Sequence, residues 1–278
     1  MHAFPFGSVP PDPGFSVGVF GLRRSRFFVS GFAAVLAATT VAIASPLTTG
    51  VAGAAAAPRA AGYFKTLPAG AKLPTGKRCA QRIHHSKWEP RPQNYKQNHK
   101  VLKRAGIARN TAFNNAWQKK YRPRITGGFH GTTDEIIQWA SCKWGISDNL
   151  TRARAVKESG WDQATQGDYQ SAGSGRCPPG WKGGGRCPTS FGLMQSKWNY
   201  RPSTYPRTKV STSFNVDSAL AEMRGCLDGM MWFGTESRND VWGCVGIWFS
   251  GSFHNGDSGY VSSVQSILAD QPWRRWRG

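Results

Sequence analysis

The sequence predicts a mainly α-helical, disulfide-bonded domain that is preceded by a basic and largely irregular arm. Three observations support this prediction. From Thr132 onward, apolar residues recur at helical spacing, and nothing alternates with a period of two over a useful length. Six cysteines, an even number, all lie after residue 57. Between Pro58 and Gly131, in contrast, Glu89 is the only acidic residue and no apolar periodicity is sustained.

The first 57 residues are typical of an export signal and its processing region. Arg23, Arg24 and Arg26 precede an uncharged, mostly apolar run over residues 27–44, and alanine-rich triplets at its end and beyond suit a signal peptidase. We favour a signal peptide that is cleaved. The alternative is an uncleaved membrane anchor, because an apolar run of about 18 residues can just span a bilayer.

Residues 58–125 are predicted to form a basic arm or linker, because Lys, Arg, Pro, Asn and Gln are dense there. A short helix is expected between Thr111 and Lys120, where apolar residues have helical spacing. His84 and His85 are neighbours in this segment. We interpret them as solvated side chains rather than as metal ligands, so no metal site is predicted.

The helical domain itself is expected over residues 126–278. Its first helix has a capping-box start at Thr132-Thr133-Asp134-Glu135 and a glycine stop at Gly145. A second helix opens at Ser147-Asp148 and closes at Gly160. Apolar periodicity predicts three further helices, which run from Ser213 to Phe233, from about Asp240 to Phe249 and from about Tyr260 to Leu268.

Six cysteines in an exported chain favour disulfides over free thiols. Only one pair can be assigned from spacing, Cys177 with Cys187, because these two residues bracket a loop rich in Gly and Pro. The other pairings stay open. A metal site is the competing interpretation, but no Cys-x-x-Cys or Cys/His pair occurs at ligand spacing.

The chain is strongly cationic, with a formal net charge of +21. Residues 58–278 keep 33 of the 36 Lys and Arg and 14 of the 15 Asp and Glu, so the part beyond the export segment carries +19. Such a charge attracts polyanions. For an exported protein we expect anionic wall polymers and lipid headgroups as partners, whereas nucleic acid is the less favoured alternative.

Glu158 is the candidate catalytic residue, because it falls in the last turn of the second predicted helix. The helix dipole disfavours an ionised carboxylate at that end, and an apolar wall from Trp161 would raise the carboxyl pKa further. Both effects favour a glutamic acid that can donate a proton near neutral pH. On position alone, an ordinary solvated glutamate that pairs with Lys157 or Arg154 is the better interpretation.

A second string, Ser190-Phe191-Gly192-Leu193-Met194-Gln195, lies downstream of Val156-Lys157-Glu158-Ser159-Gly160-Trp161. Together, the two strings resemble the paired signature of soluble lytic transglycosylase catalytic domains, which belong to the lysozyme-like superfamily and are related to goose-type lysozyme. The resemblance covers roughly residues 130–272. It implies a lysozyme-like helical domain with a cleft. It also implies a secreted or cell-wall enzyme that cleaves peptidoglycan glycan strands at the β-1,4 bond between N-acetylmuramic acid and N-acetylglucosamine.

The resemblance also implies a role for each matched residue. Glu158 would be the catalytic acid/base, which protonates the glycosidic oxygen and then accepts a proton from the six-hydroxyl as a 1,6-anhydro ring closes. Ser159 would contact the N-acetyl region, Gln195 would border the cleft, and Met194 would more readily pack beneath it than contact the ligand. No cofactor is expected, because the N-acetyl group of the substrate itself stabilises the developing cation.

The chain departs from the family in two places. The family's Ala-Tyr-Asn-Ala-Gly-like segment is poorly matched by Ile247-Trp248-Phe249-Ser250-Gly251. The hydroxyl that orients the acid would therefore come from Tyr260 or Ser250, or be absent, and we favour Tyr260. An insertion over residues 168–189 would form one lip of the cleft. Three tryptophans beside these segments are candidates for stacking on sugar rings, namely Trp161, Trp181 and Trp198.

Two alternative functions stay open. The first is a hydrolytic muramidase on the same scaffold, in which a second carboxylate activates water; Asp162, Asp168, Asp217 and Glu222 are its candidates. The second is a non-catalytic cationic protein that binds the wall through charge and tryptophan alone. Contact with a membrane is expected only through the export segment, if it is not cleaved.

Overall fold

Helices dominate the part of the chain that a computed structural model describes, residues 62–102 and 106–278. The predicted export segment, residues 1–57, lies outside the described residues. The helices are α1 (Gly76–Ala80), α2 (Tyr95–Asn98), α3 (Asn115–Lys120), α4 (Thr133–Trp144), α5 (Asp148–Ser159), α6 (Arg207–Val210), α7 (Thr212–Leu227), α8 (Val241–Ser250) and α9 (Ser258–Asp270). The two-residue strands are β1 (Gln166–Gly167), β2 (Gln170–Ser171), β3 (Arg186–Cys187), β4 (Ser190–Phe191) and β5 (Ser196–Lys197).

The two helices that lead to the candidate site begin and end where the sequence predicts. The Thr132 side chain accepts from the Glu135 amide and the Glu135 carboxylate accepts from the Thr132 amide, which completes the capping box of α4. The Ser147 side chain caps α5 by accepting from the Leu150 amide, without a reciprocal bond. Gly145 and Gly160 end the two helices in the left-handed conformation, which costs glycine little.

The three C-terminal helices also form, but their lengths differ from the prediction. Helix α7 ends at Leu227, so the prediction that it continues to Phe233 is wrong. Gly229 takes a φ of +69° just after the helix end, and this left-handed conformation interrupts the regular helical backbone although Met231 beyond it is still buried. Helix α8 starts beside its cap Asp240, as expected. Helix α9 is longer than expected, because its regular backbone extends beyond the apolar positions that predict it.

The core lies where α4 packs against α7 and where α5 packs against α9. Ile136 and Ile137 of α4 and Val216 and Leu220 of α7 are fully buried. Burial of such side chains contributes about 1.5–3 kcal/mol each. The arrangement fixes the end of α5 against α9, and that is where the candidate acid lies.

A small antiparallel sheet, in the order β1-β4-β5, covers the end of α5. Gln166 pairs with Phe191, and Phe191 pairs with Ser196, so β4 and β5 form a hairpin whose turn is Gly192–Gln195. Strands β2 and β3 form a separate pair. Because each strand has only two residues, no alternation of apolar and polar residues could predict it.

The predicted disulfide between Cys177 and Cys187 is present. Two long-range bonds, Cys79–Cys142 and Cys226–Cys244, account for the other cysteines. Three disulfides fit an extracellular protein, because oxidising compartments are where such bonds persist. Within the described ranges, no helix combines the length and the apolar character that a membrane span requires.

Much of the described chain before residue 126 packs against these helices. Trp88, Trp117 and Tyr121 belong to the buried core, and Cys79 is joined to α4 through Cys142. Helix α3 starts later than expected, because Asn114 caps it by accepting from the Trp117 amide. These residues are therefore part of the folded unit and not a free linker.

Candidate active site

Glu158 occupies the last turn of α5, directly before the left-handed Gly160. Its carboxyl faces α9, where the hydroxyl of Tyr260 donates a hydrogen bond to Oε1. Tyr260 is itself buried. The acid is therefore oriented by a fixed donor from a second helix.

Burial raises the pKa of the Glu158 carboxyl to about 7, against an ordinary value of 4.5. The hydrogen bond from Tyr260 and the charge of Arg154 lower this pKa, the charge of Asp168 raises it, and the charge of Lys157 lowers it slightly. Burial outweighs the two cations, so near neutral pH a large fraction of the carboxyl is protonated. The structure describes no ion pair between Glu158 and the Lys or Arg residues of its described ranges.

The two sequence strings lie in direct contact. The Ser159 hydroxyl donates to the carbonyl oxygen of Leu193 at 2.9 Å, which ties the end of α5 to the β4–β5 turn. The Gln195 side chain donates to the carbonyl oxygens of Thr165 at 3.1 Å and Gly192 at 2.9 Å. Ser159 and Gln195 are half-buried beside the turn of α5 that holds Glu158. The side chains of both donate hydrogen bonds to backbone carbonyl oxygens.

Two buried amides hold the β4–β5 turn from below. Gln163 accepts from the Leu193 amide at 2.9 Å, and Asn215 of α7 accepts from the Met194 amide at 2.7 Å. Gly192 has a φ of +79°, and a Cβ there would lie 2.6 Å from the Thr208 carbonyl oxygen, so only glycine fits. The sequence analysis missed Gln163 and Asn215, because an amide that binds backbone has no local pattern that marks it.

The structure corrects the predicted role of Trp161 as a substrate contact. It is fully buried and packs against Trp88, Trp273 and Trp276, while its indole N–H donates to the Arg152 carbonyl oxygen at 3.1 Å. A fully buried ring cannot stack on a sugar. Trp161 is therefore a core residue and not a substrate contact.

Met194 is also fully buried. Its side chain packs in the core beneath the turn, so it belongs to the support of the site and not to a substrate-binding surface. Packing beneath the cleft is the role that the sequence predicts for Met194, and its burial excludes Met194 as a candidate substrate contact.

The structure brings Tyr260, and not Ser250, to the acid. Ser250 instead donates to the carbonyl oxygens of Gly246 and Ser252. Phe249, which the sequence analysis did not select, stacks on Tyr260 with ring centroids 5.0 Å apart and is 62 % exposed. The one sequence signal for Phe249 is its position in residues 247–251, the segment that matches the resembled pattern poorly.

Trp181 and Trp198 lie in and beside the inserted loop. Trp181 is exposed, whereas Trp198 is half-buried and its indole N–H donates to the Arg176 carbonyl oxygen at 2.8 Å. Of the three predicted stacking residues, Trp181 therefore has the most accessible ring.

The four candidate second carboxylates differ sharply in their surroundings. Asp217 is fully buried in an ion pair with Lys143 at 2.7 Å, and Glu222 pairs with Arg201 at 2.8 Å. Asp162 accepts from the Ala164 amide at 2.8 Å in a local turn. Asp168 is the remaining one.

Asp168 follows strand β1, has a half-exposed side chain, and accepts from the Ser190 hydroxyl at 2.6 Å. It also pairs with Lys197 at 3.3 Å. Of the four carboxylates, it is the one whose charge is among the main influences on the pKa of Glu158. It is therefore the one candidate that the structure places within electrostatic reach of the acid.

A cavity of about 670 Å³ lies elsewhere, at the N-terminus of α4, and is lined by residues that include His85, Glu89, Tyr95, Asn98 and Glu135. None of its lining residues was predicted to bind substrate. His85 is largely exposed and its Nδ1 lies 3.0 Å from Glu135. In the described part of the chain, no three His, Cys, Asp or Glu side chains are grouped as metal ligands would be.

Comparisons with protein-family models, with curated proteins and with solved structures found no match. The function is therefore inferred from the two strings and from the geometry around Glu158.

Proposed function

We propose that this protein is a lytic transglycosylase with a lysozyme-like domain, which cleaves the β-1,4 bond between N-acetylmuramic acid and N-acetylglucosamine in peptidoglycan. The observation that carries the proposal is the Glu158 carboxyl, whose pKa is raised to about 7 beside a fixed Tyr260 hydroxyl. A general acid works best when its pKa lies near the working pH. The contact between the two sequence strings supports the same assignment.

In the first step, protonated Glu158 gives its proton to the glycosidic oxygen, and the bond from that oxygen to the anomeric carbon of N-acetylmuramic acid breaks. The N-acetyl group of the same sugar stabilises the positive charge that develops. The leaving N-acetylglucosamine keeps the transferred proton as its hydroxyl hydrogen. Glu158 is now a carboxylate.

In the second step, the Glu158 carboxylate accepts the proton of the six-hydroxyl on the N-acetylmuramic acid. The six-oxygen attacks the anomeric carbon and closes the 1,6-anhydro ring. Glu158 is protonated again, and no water is consumed. Tyr260 holds the carboxyl in position through both transfers.

A hydrolytic muramidase is the second candidate, and Asp168 is the observation that favours it. Its charge acts on Glu158, as expected of a carboxylate that faces the same substrate. In that reaction Asp168 would activate a water molecule. The product would then carry a reducing end instead of an anhydro ring.

We further propose that the protein is secreted and acts at the cell wall after its signal peptide is cleaved. The formal charge of +19 beyond residue 57 supports this location, because it would hold the protein near anionic wall polymers. The exposed side chain of Trp181 would add a ring on which a sugar can stack.

The decisive experiment digests purified peptidoglycan with the oxidised mature protein and identifies the soluble muropeptides by mass spectrometry. Glu158→Gln keeps the size of the side chain but removes the transferable proton, so we expect release to fall by roughly 10²–10⁴-fold. Glu236→Gln is the matched control, because Glu236 is exposed and outside the site. It should release fragments at the wild-type rate.

The products separate the candidates. Anhydro-muropeptides from the wild type, lost in Glu158→Gln, support the transglycosylase. Reducing-end products support the muramidase. Equal release by wild type and Glu158→Gln, or none by either, contradicts both enzymes and leaves wall binding as the function.

A further inference from the structure

Arg154 is a fully buried cation without an acidic partner among the described residues. Its Nη1 donates to the sulfur of Met223 at 3.2 Å, while Nε and Nη2 have no hydrogen-bond partner in the described part of the chain. A buried charge that is not paired costs much more free energy than a buried pair. The groups around Arg154 therefore decide what its charge can stabilise.

The place of Arg154 points to that use. It lies one helical turn before Glu158, so both side chains leave the same face of α5. Its charge lowers the pKa of Glu158, and it lies close enough to the Tyr260 hydroxyl to lower the pKa of that group as well. Arg154 therefore faces both the acid and the residue that orients it.

An aromatic ring keeps the guanidinium in place. Trp248 of α8 lies against it, with the Arg154 Cζ 5.2 Å from the ring centroid. Arg201 also lies against this ring, with its Cζ 4.1 Å from the same centroid, and its charge is paired with Glu222. Trp248 thus holds Arg154 by a cation–π contact, while the nearby Glu222 is already paired with Arg201.

We propose that Arg154 is a positioning residue that stabilises the Glu158 carboxylate formed when the acid gives up its proton, and that it acts jointly with Tyr260. This inference rests on the proposed function of Glu158 as the proton donor. While Glu158 is protonated, the guanidinium faces a neutral acid. After proton transfer it faces a carboxylate, so the buried charges match only in the state that the reaction creates.

Such an arrangement favours the reaction, because a fixed cation in a water-poor site needs no reorganisation when the negative charge appears. The other groups that act on Glu158 stabilise its carboxylate less effectively. Lys157 is exposed and screened by solvent, Asp168 carries the wrong sign, and Tyr260 is neutral.

The kinetic test compares Arg154→Met with Arg154→Lys and with Lys157→Met. Arg154→Met removes a buried charge that faces Glu158, so the pKa of Glu158 should rise and the alkaline limb of kcat/KM should move upward by about one unit. We expect kcat to fall by about tenfold or more, with little change in KM. Arg154→Lys retains the charge and should restore part of kcat.

Lys157→Met is the matched control, since it removes one positive charge from the same helix at an exposed position. Its alkaline limb should move much less than that of Arg154→Met. An equal shift in both variants, or an unmoved limb in a folded Arg154→Met protein, overturns the proposal.

A second measurement does not depend on activity. The unfolding free energies of wild type, Arg154→Met, Glu158→Gln and the double variant give the coupling between the two side chains. This coupling should be present at pH 9, where Glu158 is ionised, and absent at pH 5. A coupling that does not change with pH contradicts the inference, whereas a peptidoglycan digest that Glu158→Gln leaves unchanged contradicts the proposed function instead.

Discussion

Helix α5 buries two arginines that differ in what faces them. Arg152 pairs with Asp134 at 2.8 Å and with Asp148 at 2.9 Å, and both carboxylates are buried. Arg154, two residues farther along, faces Glu158, an acid that burial keeps partly protonated near neutral pH. The first cation is matched in the folded protein. The second is matched only when Glu158 ionises.

The difference separates a charge that is paired in the folded protein from one that, in our proposal, serves the reaction. A complete buried cluster holds α4 and α5 together whatever the substrate does, and its charges change only when the protein unfolds. An incomplete cluster costs stability while its acid is neutral and, under the proposed function, gains its partner during proton transfer. The two arginines should therefore respond to mutation in opposite ways, one in stability and the other in activity.

The largest expected effect concerns the complete cluster, which consists of Arg152, Asp134 and Asp148. Arg152→Met leaves two buried carboxylates without their cation, which should lower the free energy of unfolding by about 3–5 kcal/mol. Urea unfolding at pH 7 measures the loss. Arg154→Met is the matched comparison, and its loss should be clearly smaller because no carboxylate depends wholly on it. Equal losses would remove the distinction between the two clusters.

A smaller effect should appear in the pH dependence of stability. The pKa of Glu158 is about 7 in the folded protein against an ordinary 4.5, so its stabilising contribution is complete below pH 4.5 and is lost as the pH rises through 7. The shift corresponds to about 3 kcal/mol. Unfolding curves from pH 4 to pH 9 should show this decline in wild type and in Glu236→Gln.

Glu158→Gln should lack this decline, because the amide does not titrate. Above pH 7 the variant should therefore be more stable relative to wild type than it is at pH 4. A constant difference across the whole range would show that Glu158 has an ordinary pKa in the folded protein.

The smallest effect concerns Asp168. Its negative charge raises the pKa of Glu158, so Asp168→Asn should lower that pKa and move the alkaline limb of activity downward. The shift should be less than about one unit, because the Asp168 side chain is half-exposed and its charge is screened. Loss of activity without such a shift would instead favour Asp168 as the second carboxylate of a hydrolase.

Local features of the fold could be predicted from the sequence. The ends of α4 and α5 are determined by Thr132, Gly145, Ser147 and Gly160, which act on backbone groups next to them. The Cys177–Cys187 bond closes a short loop, so spacing alone identifies it. The position of Glu158 follows from the end of α5.

Long-range features could not be predicted, because they depend on where distant segments meet. Trp161 lies next to the acid in sequence, yet its ring enters a cluster with Trp88 and Trp273. The Cys79–Cys142 disulfide joins two residues that are 63 positions apart in the sequence. Arg154 was visible at helical spacing from Glu158, but only the structure reveals that no carboxylate among the described residues pairs with it.

The hydrogen bond from Ser159 to Leu193 also has a mechanical consequence. Together with the bonds from Gln163 and Asn215, it makes the acid-bearing end of α5 and the β4–β5 turn one stiff piece. These two segments cannot move apart without breaking several buried hydrogen bonds. Under the proposed function, adjustment to a bulky or branched glycan strand would therefore fall to the largely exposed residues 173–186, while Glu158 keeps its position relative to the turn beside it.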